Sequence, residues 1–218
     1  MAINIHPTAI VDKNAQLGEG VEIGPYAFVG ADVKLGAGTV VRQGAIVDGH
    51  TTIGENCQIF PYACVGMKTQ DLKYKEGSVS YVEIGNRTVI REFATVHLGT
   101  ADGEKTIIGG CAASHQFCTI GKHAMVGGMV KIRQDVPPFM LCDMDGSSQK
   151  VIGPNIVGLK RRGFSTDVIQ ALKEAFRFIY HSGLNRSQAL ERVENDVEQC
   201  DEVRELVAFY RNSTRGVC

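Results

Sequence analysis

Aliphatic side chains recur at every sixth position along the first part of the chain. The column contains Ile5, Val11, Leu17, Ile23, Val29, Leu35, Val41, Val47, Ile53, Ile59 and Val65. A second column of small or β-branched residues lies two positions before each of them. A period of six fits neither an α-helix, with 3.6 residues per turn, nor an alternating strand, with a period of two. It fits a short strand followed by a corner, so that three hexads form one coil of a triangular solenoid and both columns face inward.

The six-residue period survives two interruptions. The aliphatic column resumes with Ile84, Ile90, Val96, Ile108, Ile120, Val126 and Ile132, and Ser114 occupies one of its positions. The first interruption, 67–81, is polar, and a loop that leaves a regular solenoid is a usual place for binding residues. The second, 99–105, is predicted to be a turn or a short loop. The period ends near Pro137.

Helical periodicity appears in the last quarter of the chain. Apolar residues at three- and four-residue steps are Ile169, Leu172, Phe176 and Ile179. Ser165 is predicted to cap this helix and Gly183 to end it. Ser187 is predicted to cap a second helix, and Asp201 to begin a third. The predicted organisation is a β-solenoid over 1–138, a linker over 139–158 and a helical domain over 159–218.

Composition argues against several functional classes. The formal net charge of −1 gives no general attraction for nucleic acid, which needs a basic excess. No apolar run approaches the roughly 18 residues that span a bilayer, and the first residues lack the order of a signal peptide. A cytoplasmic protein is therefore expected. The 7 cysteines include no C-x-x-C pair, which favours reduced thiols over disulfides or a zinc site.

The order of several sequence strings indicates a family. HPTAIVD, GHTTIG, QDLKY, VEIGNRTVIRE, HQFCTIG, QDVPPFM, NIVGLKRRGFS and NSTRG follow one another over nearly the whole chain. Together they resemble the acyl-carrier-protein-dependent UDP-N-acetylglucosamine O-acyltransferases. The resemblance implies an all-β solenoid, a left-handed parallel β-helix of hexapeptide repeats, with a C-terminal α-helical domain. It also implies a homotrimer with active sites between subunits.

The resemblance implies a reaction as well as a fold. Members of that family transfer a 3-hydroxyacyl group from acyl carrier protein to the 3-hydroxyl of UDP-N-acetylglucosamine, the first step of lipid A synthesis. The implied partners are therefore acyl carrier protein, UDP-N-acetylglucosamine and further copies of the chain. The acyl-carrier-protein thioester is a co-substrate, and no cofactor or metal is implied.

The chain departs from the family's pattern at one join. In the family about forty residues, roughly seven hexads, separate the segments that match 106–109 and 113–116, which here are joined through Gly110, Cys111 and Ala112. The absent stretch carries the family's general-base histidine. A sugar hydroxyl needs a base when it attacks a thioester, so the catalytic residues are left unassigned. A catalytically impaired trimeric scaffold or binding protein of the same fold is the alternative.

Two histidines are weak substitutes for the missing base. His97 and His115 each follow a position of the aliphatic column, and they lie 18 residues apart, which is one coil if nothing bulges between them. The alternatives are that these two histidines are pocket residues that contact the substrates, or that they are solvent-exposed residues of the solenoid. With His123 they could instead form a three-histidine zinc site of the hexapeptide carbonic anhydrase type. The spacings of 18 and 8 residues are not those of that family.

The resemblance assigns further residues to substrate binding. Asp71 and Lys73, in QDLKY, are expected to contact the sugar and close the pocket, with an exposed charged loop as the alternative. Gln116 is expected to contact substrate beside His115. Gly128, in MVGG, matches the position that sets acyl-chain length in the family.

A basic segment at the start of the helical domain is a second binding candidate. The resemblance brings Asn155, Arg161 and Arg162 near the UDP phosphates or the phosphopantetheine, and a guanidinium suits bidentate phosphate contact. Lys160 with the two arginines could instead form a surface patch that recognises the acidic carrier protein. A third possibility is that these cations have no function.

Overall fold

A computed structural model of the protein describes residues 2–67, 80–97, 101–102 and 105–218. Within them the hexads form three parallel sheets that are the three walls of a prism. The first wall contains β1 (Asn4–Ile5), β4 (Glu22–Ile23), β7 (Val40–Val41), β10 (Gln58–Ile59), β13 (Val89–Ile90), β16 (Ile107–Ile108) and β19 (Met125–Val126). The second contains β2 (Ile10–Val11), β5 (Phe28–Val29), β8 (Ile46–Val47), β11 (Cys64–Met67), β14 (Thr95–His97), β17 (Ala113–Ser114) and β20 (Lys131–Ile132). The third contains β3 (Gln16–Leu17), β6 (Lys34–Leu35), β9 (Thr51–Ile53), β12 (Val82–Ile84), β15 (Ala101–Asp102) and β18 (Thr119–Ile120).

Each strand from β1 to β17 pairs in parallel with the strand three elements further along the chain. Asn4 pairs with Glu22 and Ile107 with Met125, so one coil takes three hexads, as the period predicts. Across the segment between β11 and β12 the same walls continue, because Ile59 pairs with Ile90. The register of the solenoid is therefore the same on both sides of this segment, and residues 68–79 of the predicted loop lie outside the described residues.

The inward columns form the core of the solenoid, as predicted. From Ile23 onward the residues of the aliphatic column are buried, together with the small residues two positions before each of them. Thr39, in the column of small or β-branched residues, shows how a polar side chain is accommodated inside the solenoid. Its hydroxyl donates to the carbonyl of Gly54 at 2.8 Å and accepts from the amide of Cys57 at 3.0 Å. The first coil lacks a preceding coil to cover it, so its column residue Ile5 is 42% exposed.

Two stretches that the sequence predicts to be a loop and a linker, 99–105 and 139–158, contain strands. The predicted loop at 99–105 includes β15, which pairs with β12 and β18 and so continues the third wall. The segment predicted to be a linker, 139–158, contains a hairpin of β21 (Met140–Asp145) and β22 (Ser148–Pro154). β21 also pairs in parallel with β19, so the hairpin extends the first wall.

Four helices complete the described chain: α1 (Ile156–Arg161), α2 (Thr166–His181), α3 (Arg186–Asp196) and α4 (Asp201–Asn212). Ser165 caps α2 as predicted, and Gly183, with φ of +72°, follows its end. The predicted Ser187 cap is wrong. Asn185 caps α3 instead, in a reciprocal capping box with Gln188. None of the helices in the described part of the chain has the length and apolar character to cross a bilayer.

We expect the inward column to dominate the stability of the solenoid. Ile108→Ala removes a fully buried side chain from the first wall, so it should lower the free energy of unfolding by about 2 to 5 kcal/mol. Urea unfolding at fixed protein concentration measures this loss. Ile10→Ala, the same substitution at an exposed position, should change it by about 0.5 kcal/mol or less. Equal losses in the two variants would contradict the burial argument.

Candidate functional site

His97 and His115 lie at one corner of the prism on neighbouring coils. In β14 and β17, Val96 pairs with Ser114, and each histidine follows directly. Paired strands lie about 4.8 Å apart, so the two histidines are successive residues of one corner stack. The predicted separation of one coil is therefore what the register gives.

Arg215, which is 100 positions further along the sequence, contacts His115. Nη2 of Arg215 lies 2.8 Å from Nδ1 of His115, and Nε of Arg215 donates to the carbonyl of Arg133 at 2.8 Å. Nδ1 of His115 also lies 3.1 Å from the carbonyl oxygen of Gln116. The Gln116 side chain itself is buried. Sequence reasoning did not identify Arg215, although it lies in the string NSTRG.

Asp135 holds the segment that carries Arg215. The Asp135 side chain is 3% exposed, and its carboxylate accepts from the amide of Thr119 at 2.8 Å and from the hydroxyl of Ser213 at 2.6 Å. Its backbone amide donates to the carbonyl of Gly216 at 2.9 Å. A buried carboxylate needs such partners. Asp135 therefore attaches 213–218 to the end of the solenoid, and the sequence did not identify it either.

His97 has a different environment from His115. The residue is half-buried, and its Nδ1 is buried without a hydrogen-bond partner among the described residues. Leaving a buried polar group unpaired costs about 1 to 3 kcal/mol. A substrate or a neighbouring subunit that supplied a partner would recover that free energy.

Asn155 and Arg162 join the helical domain to another corner of the solenoid. Asn155 caps α1 by accepting from the amide of Gly158 at 3.1 Å, and its Nδ2 donates to the carbonyl of His123 at 3.0 Å. Nη2 of Arg162 donates to the carbonyl of Lys105 at 2.6 Å. The polar groups of both side chains thus make contacts within the chain, and their predicted contact with substrate phosphates stays a prediction.

His123 lies at that same corner, between β18 and β19, and not with His97 and His115. Its ring is 6% exposed and packs against Phe139 and Phe164, with ring centroids 5.7 and 4.9 Å away. Burial, followed by the charges of Arg162 and neighbouring cations, lowers the pKa of His123 from 6.5 to about 4. The hypothesis that His97, His115 and His123 of one chain form a zinc site is therefore wrong.

Metal-ligand geometry does not appear elsewhere in the part of the chain that the structure describes. Over these ranges no three His, Cys, Asp or Glu side chains are grouped so that they could hold a metal ion.

The remaining predicted binding residues have different positions. Asp71 and Lys73 lie outside the described residues. Arg161 and Lys160 are exposed on α1. Gly128 is exposed at a corner, where an added Cβ would lie 3.3 Å from the carbonyl oxygen of Gly110.

Two family descriptions match separate parts of the chain. Residues 14–49 match the bacterial transferase hexapeptide, with six repeats. Residues 135–218 match the second domain of UDP-N-acetylglucosamine O-acyltransferase. The fold and these matches define a hexapeptide-repeat transferase with a helical second domain.

Similarity to individual proteins extends over almost the whole length. The chain is 38% identical to an acyl-(acyl-carrier-protein)–UDP-N-acetylglucosamine O-acyltransferase of Paraburkholderia phymatum, covering 98% of each chain. Among solved structures it is similar to LpxA from Acinetobacter baumannii, with 31% identity, 98% of each chain covered and a TM-score of 0.69. LpxA from Moraxella catarrhalis gives 32% identity, the same coverage and a TM-score of 0.68. The chain belongs to the UDP-N-acetylglucosamine O-acyltransferase family.

The alignment also bears on the length of the solenoid. It runs over 260 positions with 98% of both chains covered, whereas this chain has 218 residues. About 46 positions of the relative, between seven and eight hexads, therefore have no counterpart here. This agrees with the omission predicted from the join at 110–112.

We expect His123 to make stability depend on pH in the acid range. Its folded-state pKa of about 4 lies below the ordinary 6.5, so the unfolded chain takes up the proton first as the pH falls. Its contribution to stability is present above about pH 6.5 and is lost as the pH falls toward 4. At pH 5 the loss should be about 2 kcal/mol.

Unfolding experiments at pH 7 and pH 5 test this expectation. His123→Gln removes the titrating group, so the difference between the two pH values should shrink by about 2 kcal/mol. His6→Gln, at an exposed position of the first coil, should leave the difference as in the wild type. An unchanged difference in His123→Gln would show that the ring titrates normally.

Proposed function

We propose that this protein transfers a 3-hydroxyacyl group from acyl carrier protein to the 3-hydroxyl of UDP-N-acetylglucosamine, the first step of lipid A synthesis, in the cytoplasm. The observation that carries this proposal is the near-full-length similarity to a relative whose name states those two substrates. The thioester supplies the acyl group and the driving force, so no resident cofactor or metal takes part. Exposed Lys160 and Arg161 are available to an acidic carrier protein.

The chemistry requires a base, and His97 is the candidate that the contacts favour. A sugar hydroxyl must lose its proton as the bond to the thioester carbon forms, and a positioned base typically contributes about a hundredfold to ten-thousandfold. Nδ1 of His115 faces the Arg215 guanidinium, whose N–H groups only donate hydrogen bonds, so this nitrogen already has a partner. Nδ1 of His97 has no partner among the described residues, so it can take its orientation from bound substrate or from a neighbouring subunit.

Self-association into a homotrimer is part of the proposal. One corner of the prism, between the first and second walls, carries a stripe of exposed side chains: Tyr26, Tyr62, Phe93, Cys111 and Met129. Phe93 is 58% and Met129 78% exposed, and the rings of Tyr62 and Phe93 stack with centroids 5.4 Å apart. A continuous apolar stripe of this kind favours contact with another protein surface. The stripe therefore supports assembly of several copies of the chain.

A scaffold without turnover is the second candidate function. The observation that favours it is the shortened chain, because about 46 positions of the relative have no counterpart in it. Such a protein would keep the trimer and bind carrier protein or sugar nucleotide without transferring the acyl group.

An assay of acyl transfer distinguishes the two functions. We expect the wild type to acylate UDP-N-acetylglucosamine from 3-hydroxyacyl carrier protein, and His97→Ala to lower kcat by about a hundredfold or more, because the base is removed. Product formation is measured by mass spectrometry. His6→Ala, an exposed histidine in the first coil, is the matched control and should retain wild-type turnover.

Each outcome of that assay supports one function against the other. No turnover in the wild type, with UDP-N-acetylglucosamine or carrier protein still binding, would establish the scaffold. Turnover that survives His97→Ala unchanged would remove His97 from the proposed mechanism.

Light scattering tests the proposed trimer. The wild type should have three times the chain mass of 23.6 kDa. Phe93→Glu adds a charge to the apolar stripe and should lower the mass at micromolar concentration, because an unpaired charge is costly to bury. Ile10→Glu, at an exposed apolar residue outside the stripe, should leave the mass unchanged. A monomeric wild type would contradict the trimer, and a trimeric Phe93→Glu would remove the stripe from the interface.

A further inference from the structure

The contact between Arg215 and His115 constrains which ring nitrogen of His115 carries a proton. An arginine guanidinium is always protonated, and its nitrogens only donate hydrogen bonds. Nη2 of Arg215 lies 2.8 Å from Nδ1 of His115. At that distance Nδ1 has to accept the hydrogen bond, so it holds a lone pair and no proton. The proton of a neutral imidazole is then on Nε2.

We propose that Arg215 is a positioning residue that fixes His115 as a neutral imidazole with its proton on Nε2. In this state His115 presents a hydrogen-bond donor and cannot act as a base through either nitrogen. Neither the sequence strings nor the relatives' names assign any role to Arg215. The catalytic meaning of this state rests on the proposed acyl transfer, but the protonation state itself does not.

A competing contact exists for the same nitrogen. Nδ1 of His115 lies 3.1 Å from the carbonyl oxygen of Gln116, and a protonated Nδ1 would donate to that oxygen. It cannot donate there and accept from Arg215 at the same time. The arginine contact is the shorter, and a hydrogen bond from a charged donor is roughly twice as strong as one between neutral groups. The arginine contact therefore decides the tautomer.

The Arg215 guanidinium is held in place from both sides. Its Nε donates to the carbonyl of Arg133 at 2.8 Å, which belongs to the same corner stack as His115. The segment around it is attached to the solenoid through Asp135, which binds the Ser213 hydroxyl and the Gly216 backbone. Because these contacts restrict where the guanidinium can move, His115 keeps one ring orientation without substrate.

The fixed tautomer suits His115 to stabilise negative charge. When a hydroxyl attacks a thioester, the carbonyl oxygen becomes negative, and a preorganised donor at that oxygen is typically worth about a hundredfold or more in rate. Nε2–H of His115 is a donor of this type, at the corner where His97 lies one coil away. The two histidines would thus divide the work, with His97 accepting a proton and His115 donating a hydrogen bond.

Nitrogen-15 NMR of protein labelled at histidine tests the tautomer directly. His115→Gln identifies the His115 resonances by their loss. In the wild type at pH 8 we expect the proton of His115 on Nε2. In Arg215→Ala we expect it to move to Nδ1, where the Gln116 carbonyl can accept it. Arg211→Ala is the matched control, because Arg211 lies on α4 and pairs with Glu194, 2.7 Å away, and it should leave the tautomer unchanged.

Several results would overturn the proposal. A wild-type His115 protonated on Nδ1 would show that Gln116 and not Arg215 decides the state. An unchanged Nε2 tautomer in a folded Arg215→Ala would show that Arg215 does not decide the state. If Arg215→Ala does not fold, Arg215→Met replaces it. Its unbranched side chain has no N–H to donate, so the proton should again move to Nδ1, and an unchanged Nε2 tautomer would contradict the proposal.

Kinetics then test the catalytic consequence separately. If the wild type transfers acyl groups, Arg215→Ala should lower kcat by about tenfold or more with KM nearly unchanged, since a donor used in the transition state is misplaced. Equal kcat in the two proteins would refute the donor role of His115. An inactive wild type would refute the proposed function, while the NMR result would still decide the proposal on Arg215.

Discussion

The parallel register between coils is the constraint on which the rest of the structure depends. Each inward side chain lies on the equivalent side chain of the next coil, so one hexad position becomes a continuous apolar column inside the prism. The backbone bonds that hold the coils together repeat at the same interval. Every corner position is therefore also repeated, and a polar residue at one corner has a neighbour one coil above and below. The stack of His97 on His115 follows from this repetition.

The solenoid could be predicted in detail because its determinants are local and periodic. A column that recurs every six residues identifies the strands, the corners and the residues that are buried. The hairpin of β21 and β22 escaped prediction because it obeys neither period, and because its parallel pairing with β19 is a tertiary contact. The Asn185 cap had a sequence signal in Asn185 and Gln188, three residues apart, which is the spacing of a capping box.

The site was predicted less completely than the fold. The 18-residue spacing was enough to bring His97 and His115 to one corner. The spacing of eight residues after His115 also suggested His123 as a third metal ligand. Successive hexads lie on different walls of the prism, so eight residues lead to a different corner, where His123 is buried against Phe139. Arg215 and Asp135 have no periodic signal, and their contacts join segments that only the folded chain brings together. Similarity to the family identifies the strings that contain them without saying what they contact.

The contact between Arg215 and His115 also has a consequence for the order of folding. These residues are 100 positions apart in sequence, whereas neighbouring coils pair across 18 positions. Closing the longer loop costs about 1.5 kcal/mol more chain entropy by itself, so the coils can zip together one after another before this contact forms. The shape of the solenoid thus depends on contacts between neighbouring coils, whereas the orientation of the His115 ring depends on a contact that closes a much longer loop.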